Sequence, residues 1–387
     1  MKIAFWISFF MVFYTFFGYG ILLYVLMRIR ILLKGRRATP EATDLPTLTV
    51  IVAAYNEEQI IAEKIANTLQ LNYPAGRVNY LFVTDGSTDK TPDIVRRTPK
   101  IKLMHQPGRS GKIAAVHRAM QEVNTEIVIF TDANTFLNKD ALINICRHYK
   151  DPEVGAVSGE KRVSIEEVAD ATAGEGFYWK YESKLKSWDS ELYSVVGAAG
   201  ELFSVRLNLY EAVPPDTILD DFMISMLIAK KGYRIIYEPR AYATESSSEN
   251  IQEELKRKIR IAAGGIQSIV RLKELLVPFG RWVLCFQYIS HRVLRWTVTP
   301  FLMVLCFLLN AIIILRQPDM FYTLLMMAQS AFYTLAFLGM ALEQRQVRIK
   351  ALFIPYYFCM MNYAVVAGIR RYLKGSQSAV WEKAKRK

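Results

Sequence analysis

The stretches LTVIVAAY (48–55), NYLFVTD (79–85) and EIVIFTD (126–132) decide the fold. Each is an apolar run of strand length closed by a polar residue, Tyr55, Asp85 or Asp132. Runs without apolar–polar alternation are those of strands buried on both faces of a parallel sheet. Helical segments separate them: EEQIIAEKIANTLQ (57–70), a second at about 88–97, and GKIAAVHRAMQEV (111–123), with a short strand near 101–104. This order implies an open α/β sheet with helices on both faces. Ligands of such sheets bind beyond the carboxyl ends of the strands, where Tyr55, Asp85 and Asp132 fall.

Outward from this core the chain changes solvent. Residues 3–27 carry no charge and are long enough to cross a bilayer as a helix. Arg28, Arg30, Lys34, Arg36 and Arg37 follow at once. The positive-inside rule then puts the N-terminus outside and the sheet domain in the cytoplasm. Residues 38–47 (ATPEATDLPT) read as a linker. Uncharged runs return at 296–315, 320–342 and 351–369, ahead of a basic tail. The expected organisation is an N-terminal membrane helix with its basic flank (1–37) and a cytoplasmic sheet domain (48–265). Interfacial helices (266–295), membrane helices (296–372) and a basic cytoplasmic tail (373–387) follow. Three crossings after the domain would carry the tail outside, against the charge rule. The run 351–369 holds Pro355 and Asn362, which makes it the weakest span.

Composition agrees. The 387 residues are 52% hydrophobic and 22% charged, too apolar for a disordered chain. Lys and Arg exceed Asp and Glu by 49 to 36, a formal charge of +13. Much of that excess flanks apolar runs, so its partner is an anionic membrane surface. No basic recognition motif accompanies it, and no nucleic acid is expected. The four Cys lack CxxC spacing, which argues against zinc and disulfides.

Four polar motifs follow the strands in order: Ala53-Ala54-Tyr55-Asn56-Glu57-Glu58, Thr84-Asp85-Gly86-Ser87-Thr88-Asp89, Gly108-Arg109-Ser110-Gly111-Lys112 and Thr131-Asp132-Ala133-Asn134. Asp132 and Asn134 offer two oxygen ligands at one turn, as a hard cation bridging a diphosphate requires. Gly111 and Lys112 set a flexible turn and a cation at a helix start, which suits phosphate. Taken singly, each motif is ordinary turn or cap chemistry. Their joint order is the signal.

With these motifs the sequence resembles the family 2 glycosyltransferases of GT-A fold, in their membrane-embedded, cellulose-synthase-like branch. The resemblance extends over about 48–275 and includes AAYNEE, VTDGSTDKT, GRSGK, FTDAN, GAAGELF and LDDF. It implies a GT-A, Rossmann-like mixed sheet set between the N-terminal transmembrane helix and the C-terminal interfacial and transmembrane helices. By resemblance Ala54, Tyr55, Glu57, Asp85 and Lys112 take the nucleoside side of a donor. Asp132 and Asn134 take its Mg2+ or Mn2+, with Asn134 replacing the more usual second Asp. Asp221 becomes the general base of an inverting transfer, and Gly200, Glu201 and Asp220 border the acceptor. The loop of Gly200 and Glu201 reads equally as a plain turn. Arg257 and Arg260 fall on the family's diphosphate-clamping helix, where a Gln-x-x-Arg-Trp pattern is replaced by Arg257, Arg260 and Ile261. Trp381 in the tail has two readings, a gate over the diphosphate or an interfacial anchor.

The implied function is transfer from a UDP-sugar to a growing polysaccharide at the cytoplasmic face, coupled to export through the membrane helices. The alternative is single addition to a lipid-linked acceptor, which the missing Trp favours. A nucleotide-sugar sensor without transfer is a third reading. Partners are the donor, a glycan or lipid-linked acceptor, the bilayer, and accessory biosynthesis or export proteins. Trp282, Gln287, Tyr288, His291, Arg292 and Trp296 are the candidates to line a polymer entrance.

Overall fold

A computed structural model describes residues 1–163, 173–245, 250–345, 347 and 349–375. Its centre is one eight-stranded sheet: β1 (Leu48–Ala54), β2 (Val78–Asp85), β3 (Lys102–Gln106), β4 (Ile127–Asp132), β5 (Phe136–Leu137), β6 (Val154–Val163), β7 (Leu202–Arg206) and β8 (Arg234–Glu245). The spatial order is β3-β2-β1-β4-β7-β6-β8-β5. The first four strands are parallel. β7 then runs antiparallel between β4 and β6, and β8 lies parallel to β6. The expected parallel half is therefore present, and a mixed half extends it.

Alternation of side chains across the pleat divides the core in two. Ile51, Leu81, Val83, Val128 and Phe130 face one layer, against α4 (Lys112–Met120) and α7 (Asp220–Lys230). Leu48, Val50, Val52, Ile127 and Ile129 face the other, against α2 (Ile61–Leu69) and α5 (Ala141–Cys146). Each such side chain, fully buried, contributes about 1.5–3 kcal/mol. That double burial is why these strands read as continuous apolar runs. The short helix α3 (Thr91–Arg96) completes the first half.

Among the described residues four helices are long and apolar enough to cross a membrane: α1 (Lys2–Lys34), α10 (Thr299–Arg316), α11 (Met320–Gln344) and α12 (Lys350–Leu373). α10 packs antiparallel to α1. Phe5 meets Ile313 and Tyr322 at one end, and Thr299 donates to Thr15 at 3.1 Å at the other. Three more helices join membrane to sheet: α6 (Ala173–Leu192), α8 (Ile251–Arg271) and α9, which runs from Trp282–Tyr288 through a wide turn at Ile289–Val293 to Leu294–Trp296. α8 starts at a side-chain cap, the Glu253 amide donating to Asn250. It runs unbroken past residue 265, so the expected domain boundary falls inside a helix.

The junction is polar and buried. His291 lies between Asp189 (2.6 Å) and Glu182 (3.1 Å). Arg292 and Arg295 reach Glu182 at 2.8 and 3.0 Å, while Tyr19 and Gln287 donate to Asp189 at 2.5 and 2.9 Å. Burial disfavours the charge on Glu182, but these cations outweigh it and hold the carboxyl well below its usual range. This corrects the reading of α9 as a polymer entrance. Gln287, Tyr288 and His291 are fully buried, and Trp296 packs on Gly265 and Phe222. These groups fasten the sheet domain to α1, while Trp282 is exposed at the start of α9.

Candidate active site

The carboxyl ends of β1, β2 and β4 form one edge, and the four motifs meet there. The first two clasp each other. Asn56, in the left-handed region at φ 52°, accepts from the Thr88 amide at 2.8 Å and donates to Thr88 Oγ1. The Glu57 amide donates to Thr91 and the Glu58 amide to Asp89. Tyr55 stands at the mouth with the Arg109 guanidinium 3.9 Å from its ring centre. Ala54 is the buried last residue of β1.

Asp85 is buried under the third motif. Its Oδ2 accepts from the Ser110 and Gly111 amides at 2.7 and 2.6 Å, and Arg118 lies 3.5 Å from Oδ1. Its direct contact is thus with the loop that starts α4. Gly86, at φ 69°, lets Arg109 approach where a Cβ would lie 2.6 Å from the Arg109 Cβ.

Lys112 is the first residue of α4. Its ammonium reaches Asp132 at 2.8 Å and Asp220 at 3.7 Å. It therefore joins the end of β4 to the first turn of α7. Burial opposes the charge on Lys112, yet Asp132 and Asp220 outweigh it and hold the ammonium above its ordinary range. Asp221, next on α7, is pushed up to about 7 by burial and then by Asp220, with Lys112 pulling the other way. Gly200 borders Asp221 directly, and a Cβ on it would lie 3.0 Å from Asp221 Oδ2. Gly197, at φ 82°, stands against Phe222. The small-residue loop and the acidic motif are therefore one surface.

Glu201 turns away from that surface. It bonds Lys161 at 2.8 Å, with Arg257 at 3.7 Å. Burial disfavours its charge, but both cations hold it below the usual range. Arg257 also nears Glu245 and Glu254, so it belongs to this network at the flank of the cleft. Arg260 is half-buried one turn along α8. Trp381 lies outside the described residues.

One contributor escaped the sequence reading. Lys64, wholly buried, donates to Thr131 Oγ1 and Thr135 O and so braces the Asp132–Asn134 turn from behind. Burial lowers its ammonium to about 7, against the pull of Asp132. Its signal was a charged residue on the buried face of an amphipathic helix. His117, on α4, is lowered by burial with Asp220 opposing, which marks it as a neighbour of the acidic motif.

A divalent cation fits this cleft by charge. Asp132, Asp220 and Asp221 surround the Lys112 ammonium, and Lys64 stands behind the Asp132 turn with its own ammonium lowered by burial to about 7. Among the described residues no group of three or more His, Cys, Asp or Glu is arranged to hold a metal alone. Asp132 and Asn134 would hold such an ion only with further oxygens brought by a ligand, as donor phosphates bring.

Residues 49–213 match the model of glycosyl transferase family 2. A poly-beta-1,6-N-acetyl-D-glucosamine synthase of Staphylococcus aureus is 27% identical over 240 residues, 59% of this chain and 57% of the relative. The Staphylococcus epidermidis synthase is 24% identical over 304 residues, covering 75% and 70%. The chain thus spans little more than half the length of the first of these relatives. Among solved structures, a mannosyltransferase from Pyrobaculum calidifontis in complex with GDP-Man and Mn2+ superposes with a TM-score of 0.73. It is 24% identical, and the match covers 97% of this chain and 100% of that one. That likeness gives the fold, GT-A with apolar helices at both ends of the chain.

Proposed function

We propose that this chain, a membrane-embedded glycosyltransferase of family 2, moves a sugar from a UDP-sugar to the hydroxyl of a growing polysaccharide. The observation that carries the reading is the meeting of Asp132, Lys112, Asp220 and Asp221 in one cleft. Asp221 is the base. With its proton affinity raised toward neutrality and Gly200 leaving room beside it, it accepts the acceptor's hydroxyl proton as that oxygen attacks the anomeric carbon. One displacement with one base inverts the anomeric centre. Asp132 and Asn134 would hold Mg2+ or Mn2+, which when bound would supply charge neutralisation for a departing diphosphate. Lys112 is positioned to turn its ammonium from Asp132 toward that same charge. Tyr55 and Arg109 offer a stacking pair for a base, and Arg260 a planar fork for phosphate.

Relatives named for a polymer of N-acetyl-D-glucosamine support the polysaccharide product and make that sugar the first to try. One observation favours a second reading, single addition to a lipid-linked acceptor. Gln287, Tyr288 and His291, expected to line a polymer entrance, are instead packed into the domain junction. Purified full-length protein in nanodiscs, given UDP- and GDP-sugars with Mg2+ or Mn2+, tests both. Diphosphate release with a UDP-sugar, lost in Asp221→Asn, and a ladder of products support the polysaccharide reading. A single product of one added sugar replaces it with the second. Donor binding without release, in the presence of both acceptor types, refutes transfer.

A further inference from the structure

We propose that a pocket where α1 leaves the membrane binds the phosphate of an anionic lipid headgroup. The inference does not rest on the transferase reading. The pocket, of about 330 Å³, lies between facing stripes of α1 and α6. Tyr24, Met27, Arg28 and Ile31 recur at helical spacing on α1. Lys184, Ser187, Trp188 and Glu191 do the same on α6, and Arg36 completes the rim from the chain beyond α1.

The charge is unbalanced. Arg28, Arg36 and Lys184 surround the space, and Glu191 is the lone carboxylate in its wall. That carboxylate is already held, by Arg30 at 2.5 Å and by the Arg37 amide at 3.2 Å. Among the described residues, Arg28, Arg36 and Lys184 have no hydrogen-bond or ion-pair partner. Three cations sharing one cavity repel one another, and an anion between them removes that cost. The volume equals the share of about eleven waters, enough for a phosphate and its ester linkages.

Depth identifies the source of the phosphate. The uncharged run of α1 ends at Met27, so Arg28 stands at headgroup level. Tyr24 and Trp188, with ring centres 5.2 Å apart, form the aromatic wall typical of that level. A lipid phosphate here would tie α1 to α6. The same α6 carries Glu182 and Asp189 into the buried junction with α9.

The test uses the full chain in neutral detergent, with native mass spectrometry as readout. Phosphatidylglycerol is compared with phosphatidylcholine of the same acyl chains, with and without excess inorganic phosphate. The expected result is retention of phosphatidylglycerol over phosphatidylcholine. The triple variant R28Q/R36Q/K184Q weakens it by about 100-fold, at about 5-fold per cation. The control R370Q/K374Q, which removes basic charge elsewhere, changes it little. Equal retention of both lipids, or a triple variant matching the control, overturns the proposal. So does displacement by inorganic phosphate, which would make this a site for soluble anions. If the triple variant does not fold, Arg36→Gln alone carries the test. Its site is exposed, the expected loss is about 5-fold, and an unchanged affinity overturns the proposal.

Discussion

The acidic pair on α7 makes the sharpest test of the catalytic reading. Asp221 is raised from its ordinary value near 3.8 to about 7, first by burial, then by Asp220, with Lys112 opposing. Asp220→Asn keeps the shape and the burial and removes the second cause. One like charge at this range shifts a carboxyl by about one unit or more. A base must be unprotonated to act, so kcat/KM for the donor should fall as pH drops below 7. The ionised fraction is about one half at pH 7, a tenth at pH 6 and a hundredth at pH 5. In Asp220→Asn that limb should move about one unit toward acid. In Asp221→Asn it should vanish, with a loss of about 10²–10⁴ in rate. Because kcat/KM reports the free enzyme, the limb reads the cleft before donor and metal enter. The same shift has a consequence for stability. A carboxyl raised on folding binds its proton more tightly in the folded state, so stability falls as pH rises from about 4 to 7. Asp221→Asn should therefore stabilise the protein at pH 8 by about 1–2 kcal/mol, after discounting for partial exposure. Diphosphate release across pH 5–9 and thermal melting measure both effects. An unmoved limb in Asp220→Asn, or more than about a tenth of normal activity in Asp221→Asn, refutes the assignment.

Two further outcomes are expected. Gly197→Ala should destabilise by about 2–5 kcal/mol, from left-handed strain and overpacking together. Its Cβ would fall 2.1 Å from a Phe222 ring that Trp296 and Tyr288 hold in place, and a melting temperature near wild type refutes that packing. A protease-sensitive tag after Lys387 should be cleaved from the cytoplasmic side in right-side and inverted vesicles. Cleavage from outside would restore α12 as a crossing.

The parallel half of the sheet was legible because its determinants are local. β1, β2 and β4 are buried on both faces, and each connection is a short helix with its own apolar stripe. β6, β7 and β8 were not assigned from sequence. β7 lies antiparallel between β4 and β6, and no local pattern specifies that pairing. The site divides the same way. Asp132 and Asp221 announced themselves in motifs, whereas Lys112 linking β4 to α7 depends on a meeting of segments 88 residues apart or more. Lys64 and the Glu182–Asp189–His291 junction are polar groups inside apolar surroundings, which a hydropathy pattern registers only as interruptions.

Hydropathy also explains why the number of crossings is ambiguous from sequence. It counts apolar residues without asking what they face. α12 is apolar enough to span, yet it lies along α8 for most of its length. Phe353, Tyr357 and Met360 pack on Ile251 and Leu255, and Gly368 closes on Ala262 and the Ile259 carbonyl. Because α8 also carries Glu254, Arg257 and Lys258 into the network beside the cleft, it cannot sit in hydrocarbon. Phe358 of α12 also meets Phe16 of α1 and Phe332 of α11, and Gly339 of α11 closes on the Leu352 carbonyl, so α12 divides its apolar residues between α8 and the membrane helices. Three crossings, α1, α10 and α11, would return the tail to the side of the catalytic domain. Arg370, Arg371 and Lys374 would then satisfy the positive-inside rule that four crossings would break.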